Sequence, residues 1–265
     1  MKRGLLFLFT LMLSALLFGQ QFNFNESLSS NGFSIVESKS DNITVGFALS
    51  SFSIENKEVK GVVYESVELP GNFLPAAQGN PDLPAQSCFI AIPKGAQVSI
   101  SYQKKNSKSL KNKNIIPARP IPFDTEQQTD EIIKNPKVYE KDAFYPANPV
   151  EVSEVMNVRG VEVVQIGVTP FQYNPVSKEL QVITDLEINI SLEGSKGFLA
   201  EDRLRSPWFE PILQDMLTNY NDLPDVKTKP GNSKSSVGYE YLIVIPNDPA
   251  WLPYAQQLQA FRNQQ

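Results

Sequence analysis

The sequence predicts a mainly β chain: an antiparallel β-sandwich with a short C-terminal helix, followed by the first strand–helix unit of an α/β domain. Three observations predict it. Short runs of alternating apolar and polar residues recur from about Asn42 to Leu192. Twenty prolines against 14 glycines favour many short extended segments over a helical bundle. No helical pattern separates the clearest strands, so hairpin connections and an antiparallel arrangement follow.

The elements are justified in chain order. Met1 to Gln20 carries Lys2 and Arg3 ahead of an apolar run from Leu5 to Phe18, then small Gly19, which is the pattern of an export signal cut at Gly19 or Gln20. The run is shorter than the roughly 18–20 apolar residues that span a bilayer, and polar Gln20, Gln21 and Asn23 follow at once. Residues 21–41 read as a variable leader or a first edge strand. Ile43 to Phe47, Val59 to Val67 and Val98 to Tyr102 alternate as strands, and Cys88 falls in another as a half-buried residue. Val161 to Ile166 and Leu180 to Leu192 are the clearest strands, with a proline-containing turn at Tyr173 to Lys178 between them.

Residues 103–149 interrupt this pattern. A basic stretch (Lys104, Lys105, Lys108, Lys111, Lys113, Arg119) precedes an acidic one (Asp124, Glu126, Asp130, Glu131), with six prolines from Pro117 to Pro149. The composition predicts a solvated hairpin followed by a long surface loop. Long excursions from a compact domain usually carry a task, which makes this loop a functional candidate as well.

Beyond Gly197 the texture becomes helical. Ser206 reads as an N-cap and Pro207 as the first helical position, with Phe209, Ile212, Leu213, Met216, Leu217 and Tyr220 on one apolar face. Asn221 to Gly238 has almost no large apolar residue; residues 223–238 read as an exposed linker where proteases cut, at Lys227, Lys229 or Lys234. Tyr239 to Ile245 is a near-continuous apolar run typical of a strand buried in a parallel sheet. Asp248 and Pro249 then open a helix bearing Trp251, Tyr254, Leu258 and Phe261 on one side. A lone parallel strand cannot satisfy its own backbone, so residues 239–265 are expected to be the truncated start of a second domain.

Composition narrows the chemistry. The chain contains no histidine and one cysteine, which removes Cys–His and Ser–His–Asp sites, imidazole metal ligation and an internal disulfide. A formal net charge of −5 argues against a nucleic-acid partner. No glycine-rich phosphate loop and no calcium-loop spacing occur. Neither a cofactor nor a metal site is expected, and no membrane partner after signal removal.

The ordered series Gly79-Asn80-Pro81-Asp82-Leu83-Pro84, Asp142-Ala143-Phe144-Tyr145-Pro146, Asn157-Val158-Arg159-Gly160, Phe171 to Lys178 and Asn219-Tyr220 resembles the propeptide of gingipain-type cysteine peptidases. Tyr239 to Gln265 resembles the start of that family's catalytic domain. The resemblance implies a zymogen fragment, secreted or held at the cell surface. Residues 42–222 would be a β-sandwich prodomain, acting as chaperone and inhibitor of the cognate catalytic domain in cis until proteolysis removes it. It implies no catalytic residue in this chain, the family's histidine and cysteine falling beyond Gln265. It also implies an inhibitory loop at about Ile115 to Lys134, with a basic side chain for the specificity pocket. By-eye alignment puts Asp124 at that position, with Arg119 and Lys134 as displaced candidates. A reading from another class is a secreted β-sandwich adhesion or carbohydrate-binding module of a multidomain surface protein.

Overall fold

The computed structural model describes residues 19–24, 32–69, 76–120, 131–195, 197, 199–200, 205–206, 209–226 and 242–263. The chain divides into two compact units, Met1–Val226 and Lys227–Gln265. In the first, β1 (Gln20–Asn23), β2 (Gly32–Ser38), β3 (Asn42–Ala48), β4 (Ser51–Val59), β5 (Val62–Glu68), β6 (Gln86–Ile92) and β7 (Gln97–Leu110) precede a one-turn helix, α1 (Pro136–Tyr139). Then come β8 (Val150–Val152), β9 (Met156–Val158), β10 (Val161–Val168), β11 (Phe171–Asn174), β12 (Glu179–Glu193) and α2 (Glu210–Met216). Strand order is β1-β4-β5 in one sheet, β6-β10-β8 with β9 also on β10 in a second, and β11-β12-β3-β2 with β7 also on β12 in a third. Every ladder between named strands is antiparallel.

Alternation explains the layering. Val164, Ile166 and Val168 of β10 share one core with Ile90 and Ile92 of β6, with Val45 and Phe47 of β3, and with Leu186, Ile188 and Ile190 of β12. Phe52 of β4 joins that core and meets Phe171 edge-on at 5.0 Å between centroids. The opposite side of β10 carries Val161 and Val163, which pack with Ala91 under Leu213 and Leu217 of the α2 region. The second sheet is therefore covered on both faces, which is why β10 buries valines on either side, Val161 and Val163 on one and Val164 and Val168 on the other.

Several expectations are corrected. Val59 to Val67 is not one strand, because Lys60 and Gly61 (φ 51° and 79°) form a two-residue turn between β4 and β5. Positive φ at both central positions matches the twist of paired strands, so a tight hairpin forms there. The basic stretch is not a solvated hairpin: Lys104, Lys105 and Lys108 lie in β7, which runs 14 residues along β12. The Lys104 ammonium is bonded to Gln172 and to Gln181 (3.2 Å), so its methylene stem takes a half-buried position in the strand. Residues 20–23 and 32–38 form edge strands. α2 begins at Glu210 with Phe209 as N-cap; Ser206 contributes its carbonyl, accepting from the N–H of Phe209 (2.9 Å) and Glu210 (3.2 Å). Pro211 occupies the first helical turn, and Pro207 lies outside the described residues. Ile212 is 56% exposed rather than on the packed face.

In the second unit, the Asp248 carboxylate accepts from the Ala250 N–H at 2.9 Å and caps a 3-10 turn, Pro249–Trp251, that leads into α3 (Leu252–Arg262). The expected strand is not formed at Leu242–Ile245, which makes no ladder among the described residues. A parallel strand needs a neighbour for its backbone groups, and none of the described residues of this unit forms one. Among the described residues no helix is long and apolar enough to cross a membrane.

Candidate functional site

The two feet of the 119–134 excursion converge on one short segment. The first foot leaves β7 through Asn112 (φ 58°). Lys113 Nζ lies 2.8 Å from Glu65 Oε1, and both side chains are largely withdrawn from water. The other Glu65 oxygen accepts from the Asn114 N–H (2.8 Å). The Asn114 carbonyl and the Ile116 N–H then bond the Glu65 backbone in an isolated parallel bridge (2.8 and 2.9 Å). The Tyr173 hydroxyl donates to the Lys113 carbonyl (2.8 Å). With Ile115 fully buried and Ile116 nearly so, this foot is anchored by polar and apolar contacts alike.

Gly79 to Asp82 lies between the feet. The Gly79 N–H donates to the Ala118 carbonyl (2.9 Å), the Ala118 N–H to the Asn80 carbonyl (2.8 Å), and the Asp82 N–H to the Ile116 carbonyl (2.8 Å). On the other side the Asn135 N–H donates to the Gly79 carbonyl (2.8 Å), and the Asn135 side-chain amide donates to Asn80 Oδ1 (2.8 Å). Asn135 also caps α1, its Oδ1 accepting from the Lys137 N–H (3.1 Å). Only glycine suits position 79: φ is +80°, and an added Cβ would lie 3.2 Å from the Asn135 nitrogen and 3.3 Å from the Ile133 oxygen.

The remaining sequence motifs brace this clamp. The Asn80 amide donates to the Tyr145 hydroxyl (2.9 Å). Tyr145 and Tyr173 exchange backbone hydrogen bonds of 2.9 and 2.8 Å. Asn174 donates to the Asp142 carboxylate (2.8 Å) and accepts from the N–H groups of Val176 and Ser177, forming the turn before β12. Burial pushes the Tyr173 phenol up to about 12 and the Tyr139 phenol well above its ordinary value, so both remain protonated donors through the physiological range. Burial also raises the Asp82 carboxyl. Two motifs act elsewhere: Asn157 and Gly160 close the β9–β10 hairpin (3.1 Å), and the Asn219 amide pairs with both backbone groups of Ala91 (2.8 and 2.9 Å).

The sequence-predicted loop residues separate in space. Arg119 follows the clamp directly and is half-buried. Lys134 belongs to the second foot, its ammonium 5.1 Å from the Tyr139 ring centre and 5.6 Å from that of Tyr64. Asp124 lies outside the described residues, as do Lys227, Lys229 and Lys234. Gly19 precedes β1, and Gln20 opens it opposite Ile54. Cys88 is buried in β6 with its thiol pushed up to about 12 by burial, which keeps it an inert core residue. Sequence reasoning missed the roles of Glu65, Lys113 and Asn135. The one local signal was Asn135-Pro136, a cap followed by proline in the first turn. No group of three or more potential metal ligands is present among the described residues.

The sandwich thus grips both feet of one excursion at a single segment, Gly79–Asp82. The Propeptide_C25 family model matches residues 28–224, and the chain belongs to that family. Lys-gingipain of Porphyromonas gingivalis is 25% identical over 191 residues, 67% of this chain and 11% of that protein. Gingipain R1 of the same organism is 24% identical over 211 residues, 78% of this chain and 21% of that protein. The chain thus spans about a tenth of the length of Lys-gingipain. Among solved structures, the complex of Porphyromonas gingivalis RgpB pro- and mature domains matches at TM-score 0.62 and 19% identity, over 71% of this chain and 97% of that one. A structure described as giving insight into the zymogenic latency of gingipain K matches at TM-score 0.56 and 20% identity, over 67% and 100% of the two chains. These likenesses establish the fold as that of a gingipain propeptide.

Proposed function

We propose that this propeptide inhibits, and assists the folding of, a cysteine endopeptidase domain that begins near Tyr239, and that the precursor is exported by residues 1–20 with cleavage at Gly19 or Gln20. The convergence of both feet of the 119–134 excursion on Gly79 and Asn80 carries the reading. Clamped feet hold the two ends of the excursion at a fixed spacing before a partner is met, and preorganisation of that kind raises affinity without new contacts. Lys134, clasped by Tyr64 and Tyr139, serves the foot. Arg119 and Asp124 are the candidates for the specificity pocket, where a guanidinium would act through reach and charge.

The test adds the full chain to the mature peptidase of the same precursor and measures residual activity. Inhibition at micromolar concentration is expected, weakened by Arg119→Ala or Asp124→Ala far more than by Lys134→Ala; no inhibition at that concentration refutes the proposal. Release follows cleavage at Lys227, Lys229 or Lys234, so N-terminal sequencing of the mature product is expected to begin between Asn221 and Tyr239. A start within β10 or β12 contradicts it.

A further inference from the structure

We infer that the cavity over Gly167 and Glu151 is a seat for a lysine side chain, presented by an extended segment of a partner protein. The inference does not rest on the inhibitory role proposed above. Its floor is a glycine. Gly167 of β10 lies between Ser87 of β6 and Glu151 of β8 in the strand register, and by the two-residue period it shares a face with Val161 and Val163. The α2 region covers the valine end of that face. At the other end an added Gly167 Cβ would meet nothing within 4 Å, and a cavity of about 320 Å³ opens there. Ala76, Ala77 and Ala85 keep it wide, and Pro81 and Pro146 make part of its wall rigid. Its volume stands at the lower end of the roughly 300–1,000 Å³ of ligand sites, which suits one long side chain better than a drug-sized molecule.

The polar side-chain atoms of the lining residues are all oxygens, from the Glu151 carboxylate and the Thr169 and Tyr145 hydroxyls. Glu151 is the one charged residue among them, and its carboxylate has no hydrogen bond or ion pair with a described residue. The Thr169 hydroxyl is likewise unpaired among the described residues, while the Tyr145 oxygen accepts from the Asn80 amide (2.9 Å). Oxygens around a single negative charge call for a ligand that donates and is positive. Lysine meets this with three donors, no acceptor and a four-carbon stem for the apolar walls. Its compact ammonium turns freely among separate oxygens, whereas a guanidinium fork is built for one planar partner. The extended backbone follows from the sheet. β8 is the outer strand on that side, and no described strand pairs with its far edge. A segment laid along it gains main-chain hydrogen bonds and turns alternate side chains onto the Glu151 face.

The experiment titrates the full chain with an acetylated, amidated pentapeptide of alanine with a central lysine, following the amide resonances of Gly167 and Thr169. Saturable shifts at both are expected at millimolar peptide. Norleucine in place of lysine keeps the stem without the ammonium, and should bind at least about threefold more weakly; Glu151→Gln should weaken the lysine peptide to the same degree. Butylamine carries the same ammonium without a backbone, and is expected to bind at least about tenfold more weakly than the peptide. Gly167→Leu fills the cavity. It should abolish the Thr169 shift while thermal unfolding stays at or above that of the parent, since glycine weakens a strand and the new Cβ has room. If that variant does not fold, the exposed substitution Glu151→Gln still decides. Equal binding of the norleucine peptide or of butylamine overturns the inference. So does unchanged affinity in Glu151→Gln or in folded Gly167→Leu, or the absence of any shift at about 10 mM peptide.

Discussion

Gly79→Ala is the substitution that tests the clamp most directly, because a matched control exists in the same molecule. Gly61, in the turn between β4 and β5, has φ +79°, and an added Cβ there meets nothing within 4 Å. Gly79 has φ +80°, but its Cβ would meet backbone atoms of Asn135 and Ile133 at 3.2 and 3.3 Å. Both substitutions carry the left-handed penalty, roughly 1–2 kcal/mol for an L side chain. Only Gly79→Ala must also push the second foot away, loosening the hydrogen bonds from Asn135 to Gly79 and from Gly79 to Ala118, worth about 1 kcal/mol each. The expectation is about 1–2 kcal/mol for Gly61→Ala and about 3 kcal/mol for Gly79→Ala, the latter a fall of roughly 6–12 °C in Tm for a unit of this size. Urea and thermal unfolding of the two variants beside the parent provide the assay. Equal costs within about 0.5 kcal/mol would mean that the close approach at Gly79 carries no weight, and the clamp reading would fail.

Four further outcomes follow from the same structure. Lys113→Met leaves the Glu65 carboxylate withdrawn from water without its cation and should cost about 3 kcal/mol, partly recovered in Lys113→Met/Glu65→Gln; denaturant midpoints decide this. The Asp82 carboxyl is raised by burial, so its ionisation opposes folding: its contribution is present below the unfolded pKa and is lost as pH rises through the folded value, and Asp82→Asn should be more stable than the parent at pH 7 but not at pH 3. Glu210 has the opposite sign. Arg205 holds its carboxyl below the ordinary value, so that stabilisation is present above the unfolded pKa and lost as pH falls through the folded one; Glu210→Gln should flatten the acid limb of the stability curve. The Cys88 thiol, at about 12, should resist maleimide in the folded chain at pH 8 and react on unfolding, as timed labelling would show.

Much of the fold was legible because most strands bury one face or both. β3, β10 and β12 announce themselves through valine, isoleucine and leucine at period two. β7 was only half legible. Its apolar alternation stops at Tyr102, where Lys104 takes the next half-buried position and hides a continuing strand behind a charge. The turn at Lys60-Gly61 was hidden for a related reason, since Val59 and Val62 maintain the apolar texture across it. α2 was misplaced by three to four residues because Ser206-Pro207 and Glu210-Pro211 both carry an N-terminal signature, and only packing under β10 selects the second. The motifs were readable as a family pattern but not as a network. Asn80, Asn135, Tyr145 and Tyr173 are scattered over nearly 100 positions, and nothing local says that they meet.

The end of the first unit has a consequence of its own. Arg205 is almost fully enclosed, forked onto both oxygens of Glu210 and bonded to the carbonyl of Pro224, while the Tyr220 hydroxyl donates to the same carboxylate (2.9 Å). These contacts tie off the sandwich just ahead of residue 227, much as a knot finishes a seam. With Arg205 and Pro224 bound to each other across α2, the last turn of the first unit is stitched back onto its own helix, so this end of the sandwich is fastened by residues that all precede 227.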